Sequence, residues 1–254
     1  ATTASFATTS ANGNILLDQA SDIDGAISIA THGTGISSVT NLTGAIELGT
    51  VSSAALTIEA DGAITQSGTV TIAGDASFTN TDGDNAAIFL NNEGNSFGGA
   101  IVLSTDSGSA ITLTDTTAIE LPALSLASLT VTSGGAVTDS GTLAITGATT
   151  ISASGQDITL DEAASTFGTL SLTGANVAVT DAGATDLGAS TVSGTLGITS
   201  GGAVTDSGTL AITGAATFDN SGGTNDAITL DDSSNAFNGS VTFTTDSGSA
   251  VTIV

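Results

Sequence analysis

Two acid-rich loops carry the residues of this chain that are best suited to bind a metal ion. The loop at 80–85 reads NTDGDN and contains Asp82 and Asp84 on either side of a glycine. A second loop reads DNSGGTND and contains Asp219 and Asp226. Ca²⁺ takes six to eight oxygen ligands from carboxylates and carbonyl groups. These four aspartates are therefore candidate Ca²⁺ ligands, although neither loop has the glutamate at position 12 that an EF-hand needs. The alternative is that both loops are ordinary acid-rich turns, with cations only diffusely attracted to the charged surface.

Enzymatic chemistry has weaker support in the residues. The tripeptide at 80–82, the Asp pair at 231–232 and His32 with its following glycine are similar to polygalacturonase motifs, and that chemistry needs two acidic groups at a glycosidic bond. They occur in the wrong order, and a chain without Lys or Arg cannot contain the Arg-Ile-Lys element of that family. His32 is the only histidine, and the other copies of its repeat have TDSG loops instead. We therefore expect no catalytic residues, an exposed His32, and a solvated corner at 231–232.

The charge of the chain restricts its partners. The 254 residues include 25 acidic residues, one His and no Lys or Arg, which gives a formal net charge of −25. Nucleic acids and anionic lipid surfaces are bound through Lys and Arg, so we expect no nucleic-acid binding. There is no run of about 18 apolar residues, so no transmembrane segment is predicted. Since Cys is absent, disulfides and thiolate metal sites are excluded.

The apolar residues are distributed as short β-strands. Hydrophobic residues make up 39% of the chain, and 33 glycines separate runs such as AISIA, TVTIA and SVTFT. These runs alternate apolar with Thr, Ser, Asp or Glu and recur about every ten residues. No segment has an apolar stripe at helical spacing that is long enough for a helix. The sequence therefore predicts an all-β fold with many turns.

One fifteen-residue segment occurs twice and defines a repeat. SGGAVTDSGTLAITG occupies 133–147 and again 200–214, and ADGAITQSGTVTIAG at 60–74 is a looser copy. Self-similarity at a fixed period is typical of repeat architectures. The first copy lacks its opening hairpin and the last lacks its closing third, so we expect a segment of a longer array. The copies of about 70 residues form one array without a linker and are placed at approximately 1–60, 61–133, 134–200 and 201–254.

A repeat of this kind favours a parallel β-solenoid over a sandwich or a barrel. About seven strands per copy predict three turns of 20–25 residues, and about eleven turns in all, which would form a rod of roughly 50 Å. Aliphatic residues and Phe would fill the interior, and Gly, Ser, Asn and Asp would occupy the corners. In the repeated segment, Asp139 and Asp206 are expected in solvent at a corner. The residues expected to face the core are Val137, Leu143, Ile145, Val204, Leu210 and Ile212.

The repeats resemble those of large bacterial surface proteins. GGAVTDSGTLAITG, AITLDDSSNAFNGSVTFTT and TSGGAVTDSG are similar to the haemagglutinin-type repeats of filamentous-haemagglutinin-like adhesins and of autotransporter passenger domains. The resemblance implies a right-handed parallel β-helix, export to the cell surface, and a role as a stalk or adhesive fibre.

We therefore interpret the chain as a non-enzymatic structural or adhesive segment of a large secreted bacterial surface protein, located outside the cell. Its expected partners are other cell-surface molecules or further copies joined end to end. It requires no cofactor, and Ca²⁺ is the candidate ligand. A specific site is expected where the copies differ, in the loops at 80–85, 91–96 and 219–226.

Three alternatives remain open at this stage. A self-assembling extracellular filament or surface-layer subunit is the first, because exposed strand edges can pair between molecules. Ice binding by Thr-x-Thr pairs such as Thr130 and Thr132 is the second. A polysaccharide-active β-helix enzyme is the least favoured.

Overall fold

The computed structural model describes residues 3–18, 25–80 and 83–254. Within these ranges the secondary structure consists of parallel β-strands joined by turns, without a helix. Accordingly, this part of the chain contains no helix with the length and apolar character needed to cross a membrane. The strands stack as a β-solenoid of about 12 turns, so the predicted all-β solenoid is confirmed and its predicted eleven or so turns are close to the observed number.

The chain divides into two compact units, Ala1–Glu120 and Leu121–Val254. Strand β14 (Ile119–Leu121) includes the division. The strands of the first unit are β1 (Ala4–Ala7), β2 (Ile15–Leu17), β3 (Ala26–Ala30), β4 (Ile36–Asn41), β5 (Ile46–Ser53), β6 (Ala55–Ala60), β7 (Ile64–Gln66), β8 (Val70–Ile72), β9 (Ala76–Asn80), β10 (Ile88–Leu90), β11 (Ser96–Phe97), β12 (Ile101–Thr105) and β13 (Ala110–Asp115).

The second unit is built in the same way from strands of different lengths. These are β15 (Leu124–Leu126), β16 (Ser128–Ser133), β17 (Val137–Asp139), β18 (Leu143–Ser152), β19 (Ile158–Leu160), β20 (Thr166–Gly174), β21 (Val177–Asp181), β22 (Thr185–Leu187), β23 (Ser190–Val192), β24 (Leu196–Ser200), β25 (Val204–Asp206), β26 (Leu210–Ile212), β27 (Ala216–Asp219), β28 (Ile228–Leu230), β29 (Ala236–Phe237), β30 (Val241–Thr244) and β31 (Val251–Ile253).

Parallel pairing between successive turns places like residues above one another. In the first unit, β2, β4, β6, β9 and β12 form one sheet, and Val39, Ile58, Phe78 and Leu103 stack along its inner face. All four are buried, and the ring of Phe78 packs edge-on against Phe97 at 6.0 Å between centroids. These four side chains therefore form one continuous apolar row on the inner face of this sheet.

The other sheet of the first unit has an isoleucine row. Ile46, Ile64, Ile88 and Ile111 pair in successive turns, and each is at most 1% exposed. β-Branched side chains suit such rows because they have few rotamers and pack well on a pleated surface.

The second unit repeats the arrangement with aromatic residues at one end of the row. Leu160, Val179, Ile198, Phe218 and Phe243 stack along β19, β21, β24, β27 and β30, and the last two rings are stacked at 5.7 Å. The core residues predicted in the repeated segment are confirmed, since none is more than 2% exposed. They are Val137, Leu143, Ile145, Val204, Leu210 and Ile212.

One row of outward hydroxyl groups in the second unit extends over four turns. Thr132, Ser152, Thr173 and Thr191 follow one another in successive turns, but the next position is Ala211. The row is thus interrupted, which does not favour an extended Thr array of the kind that ice binding would use.

The stacked interior predicts a strong contrast between neighbouring residues of β6. Ile58→Ala should lower the free energy of unfolding by about 2–5 kcal/mol, because it leaves a cavity between Val39 and Phe78. Thr57→Ala, on the exposed face of the same strand, should cost less than about 1 kcal/mol. Urea denaturation followed by far-UV circular dichroism measures both. Equal shifts of the two midpoints would contradict the assigned inner and outer faces.

Candidate functional site in the polar corners

The loop at 80–85 holds the first pair of predicted Ca²⁺ ligands. Asp82 lies outside the described residues. Asp84 accepts a hydrogen bond at Oδ1 from the main-chain N–H of Ala86 at 2.7 Å, so it caps its own turn. In the part of the chain that the structure describes, no three His, Cys, Asp or Glu side chains group together as metal ligands.

The loop at 219–226 holds the second pair. Asp219 Oδ1 accepts hydrogen bonds from the hydroxyl and the main-chain N–H of Ser221, at 2.6 and 2.9 Å. These two hydrogen bonds hold the pKa of Asp219 below its usual value, and the bond from the hydroxyl has the larger effect. Asp226 Oδ2 accepts from the main-chain N–H of Thr224 at 3.0 Å. Both carboxylates therefore organise the loop that contains them.

Three asparagines in left-handed conformation form corners of the solenoid. Asn12, Asn85 and Asn225 have φ angles of 64°, 58° and 59°, and Asn tolerates this region better than most residues. The Oδ1 of Asn12 accepts the N–H of Thr34 at 2.9 Å, and the Oδ1 of Asn85 accepts the N–H of Gly108 at 3.1 Å. These two side chains therefore join their corner to the following turn.

Aspartates of that following turn bond back to the same corners. Asp106 Oδ2 accepts the main-chain N–H of Gly83 at 2.9 Å, and Asp246 Oδ2 accepts that of Asn225 at 2.7 Å. Asp246 also accepts the hydroxyl of Ser249. These two hydrogen bonds hold the pKa of Asp246 below its usual value, and the bond from the N–H of Asn225 has the larger effect.

Sequence analysis did not identify Asp106 or Asp246 as functional parts of the corners. A signal was present, because TDSGSA begins at both Thr105 and Thr245. In the repeat, TDSG occupies the position that His32 has in the first copy. His32 is exposed, as predicted.

A second kind of corner joins the repeated segment to the next turn, and we call it the polar bracket. In its most complete form, Asp206 accepts the main-chain N–H groups of Asp231 at 2.9 Å and Asp232 at 3.3 Å, and the Nδ2–H of Asn235 at 2.6 Å. Asn235 Oδ1 in turn accepts the N–H of Leu210 at 2.8 Å. The bracket thus satisfies main-chain donors on both turns.

The bracket recurs one repeat earlier with a similar set of residues. Asp139 accepts the main-chain N–H groups of Asp161 at 3.0 Å and Glu162 at 3.4 Å. Ser165 Oγ accepts the N–H of Leu143 at 3.0 Å, in the role that an asparagine has in the last bracket. The same function is therefore kept although the residue type changes.

The first unit has an uncharged form of the bracket. Gln66 and Asn95 exchange two side-chain hydrogen bonds, at 2.9 Å from Gln66 Nε2 and at 2.8 Å from Asn95 Nδ2. Asn95 Oδ1 also accepts the N–H of Val70 at 2.9 Å. A negative charge at this position is consequently not needed for the bracket to form.

The prediction that Asp139 and Asp206 lie in solvent at a corner is wrong, because the bracket half-buries both. Burial raises the pKa of Asp139, the charge of Asp161 raises it further, and the N–H groups of Asp161 and Glu162 oppose the shift. Of the pair predicted as a solvated corner, Asp231 is exposed and Asp232 is half-buried.

Asp181 is a more deeply buried carboxyl group in the second unit. It is 1% exposed, and it accepts the N–H of Gly183 at 2.9 Å and the hydroxyl of Thr185 at 3.2 Å. Burial nevertheless raises its pKa. Folding therefore disfavours the charged form of this group despite its hydrogen bonds.

The fold and these corners define a β-solenoid repeat protein whose polar side chains connect successive turns. The family model described as Repeats of unknown function (DUF5649) matches residues 35–104, 108–173 and 174–244. These matches cover more than three quarters of the chain, so the chain belongs to this family. No curated protein and no solved structure matches it.

The polar bracket predicts that one carboxylate stabilises the fold more than its neighbour does. Asp206→Ala should lower the free energy of unfolding by about 1–3 kcal/mol, because it leaves the N–H groups of Asp231 and Asp232 without their acceptor. Asp231→Ala removes the same charge from an exposed side chain and should have little effect. Urea denaturation of both variants is the measurement. Similar midpoints would show that the bracket does not stabilise the fold.

The raised pKa values of Asp139 and Asp181 predict higher stability in mild acid. Between the usual value of 3.8 and the raised values, the folded chain binds more protons than the unfolded chain. The free energy of unfolding therefore falls as pH rises through this interval. Asp219 and Asp246 have lowered pKa values, so their opposite effect belongs to pH below 3.8. The net charge of −25 acts in the same direction as the raised groups.

We expect the urea midpoint to be higher at about pH 4.5 than at about pH 7. Asp139→Asn should reduce this difference, since it removes one of the raised groups, and Gln66 shows that an amide is compatible with a bracket. Glu93→Gln removes one charge from an exposed side chain and is the matched control. An Asp139→Asn variant with the same pH dependence as Glu93→Gln would disprove the assigned role of burial.

Proposed function

We propose that this chain is a non-enzymatic structural segment of a large secreted bacterial surface protein, where it serves as a stalk or adhesive fibre outside the cell. The observation that supports this function is the use of the polar side chains. Side chains of the brackets at Gln66, Asp139 and Asp206 bind main-chain groups of adjacent turns. The corner side chains of Asn12 and Asn85 do the same. Such residues strengthen a scaffold.

A scaffold role agrees with the chemistry of the surface. A chain with 25 acidic residues and no Lys or Arg has no permanent cation with which to bind a carboxylate or phosphate of a substrate. Its partners on this proposal are other cell-surface molecules or further copies of itself, and it needs no cofactor. The similarity of its repeats to those of filamentous-haemagglutinin-like adhesins supports the same function.

A self-assembling filament is the second candidate, because strands that pair by main-chain hydrogen bonds within one chain can pair in the same way between chains.

Electron microscopy and sedimentation of the purified chain separate the two candidates. A stalk segment should remain as separate particles of the 24.2 kDa chain, and a filament should form fibres with an axial repeat of one chain. Incubation with acidic polysaccharides should release no new reducing ends. Release of reducing ends that depends on Asp231 or Asp232 would overturn the non-enzymatic proposal.

A further inference from the structure

Asparagine is followed by glycine at two places in this chain, Asn12-Gly13 and Asn238-Gly239. Such a dipeptide can react with itself, because glycine has no side chain to hinder the attack of its main-chain nitrogen on the neighbouring side-chain amide. The attack expels ammonia and closes a succinimide ring, which water then opens to aspartate or isoaspartate. Water is the co-reactant, and the reaction needs no enzyme.

Hydrogen bonds hold both reacting groups at Asn12-Gly13. The Oδ1 of Asn12 accepts the N–H of Thr34 at 2.9 Å, and the N–H of Asn12 donates to the main-chain oxygen of His32 at 2.8 Å. The N–H of Gly13, whose nitrogen would have to attack, donates a longer bond of 3.4 Å to the oxygen of Ser10. Ring closure at this site therefore requires the corner to open locally first.

The second dipeptide lacks these restraints. Asn238 is exposed, and its side-chain amide has no hydrogen-bond partner among the described groups. Within the same part of the chain, the N–H of Gly239 also has no acceptor. The N–H of Asn238 donates to the main-chain oxygen of Ile212 at 2.9 Å, but this group takes no part in ring closure. The attacking nitrogen and the amide that it attacks are therefore both free to react.

We propose that Asn238 is a site of spontaneous deamidation. The nitrogen of Gly239 forms a bond to Cγ of Asn238 and releases its proton to water, while the bond from Cγ to Nδ2 breaks and ammonia leaves. A water molecule then cleaves one of the two ring bonds to that nitrogen. The product is either aspartate or isoaspartate, and both add a negative charge to a chain with a net charge of −25.

The position of the dipeptide gives this modification a structural consequence. Asn238 and Gly239 form the corner between β29, which pairs with β26, and β30, which pairs with β27. The corner lies close against the preceding turn, since a Cβ atom at Gly239 would collide with the main-chain oxygen of Gly214. Isoaspartate lengthens the main chain by one methylene group at this corner. We therefore expect it to disturb the register of β29 or β30 and to lower the stability of the fold.

Incubation of the folded chain in mildly alkaline buffer tests the site. The chain is then denatured, digested with chymotrypsin and analysed by mass spectrometry, because trypsin has no Lys or Arg to cleave at. Deamidation should appear at Asn238. Asn12 should react about tenfold more slowly, because its hydrogen bonds must open first. In urea, where unfolding removes these bonds, the two dipeptides should react at similar rates.

Two matched variants identify the reacting residue. Hydroxylamine cleaves a chain at a succinimide, so it should cut the folded protein between Asn238 and Gly239. Asn238→Gln should abolish this cut, because the longer side chain closes a ring far more slowly, and Asn12→Gln should leave it unchanged. Far-UV circular dichroism checks that both variants remain folded. After prolonged incubation, the urea midpoint of the unchanged chain should fall, and that of Asn238→Gln should fall less.

The unchanged chain alone can overturn the proposal. It is wrong if Asn238 stays unmodified in the folded chain while the same residue reacts in urea, since the fold would then protect it. It is also wrong if Asn12 and Asn238 react equally fast in the folded chain, because the hydrogen bonds would then not select the site.

Discussion

The main-chain hydrogen bonds between successive turns are the constraint on which the rest of the structure depends. They hold neighbouring strands about 4.8 Å apart and in register, so each side chain lies above its counterpart in the next turn. Most inward positions are therefore apolar in successive turns, as in the row from Ile46 to Ile111. The same constraint gives the corners a common problem, because main-chain groups that leave the sheet still need partners.

Corner side chains provide hydrogen-bond partners for these main-chain groups without any cationic residue. In a chain with no Lys or Arg, carboxylates are stabilised by main-chain N–H groups, as Asp206 is by Asp231 and Asp232. The arrangement has a cost, since it brings acidic residues together at half-buried positions. Asp139 shows this cost in its raised pKa, and Gln66 shows that an amide can provide the bracket without it.

Much of the fold could be predicted because inward positions obey a simple alternation. Val137, Leu143 and Ile145 were recognisable as core residues from the period of two alone. The environment of Asp139 was not, because its burial depends on residues about 22 positions away that fold over it. The role of Asp106 could not be predicted for the same reason, since its partner Gly83 belongs to another turn. Contacts between turns depend on the register, which a strand pattern does not specify.

The number of residues in each turn decides where the chain can form a loop in addition to strands and tight corners. Partners are only 17 residues apart at Leu170 and Leu187, which leaves room for little more than strands and tight corners. They are 25 residues apart at Ala216 and Val241, and the extra residues form the loop at 219–226. This loop folds back toward Gly201 of the preceding turn, so main-chain oxygens of two turns approach each other there. The longest turns are therefore the places where the chain departs most from the regular pattern of strands and tight corners, because only they contain residues that the stacking of strands does not constrain.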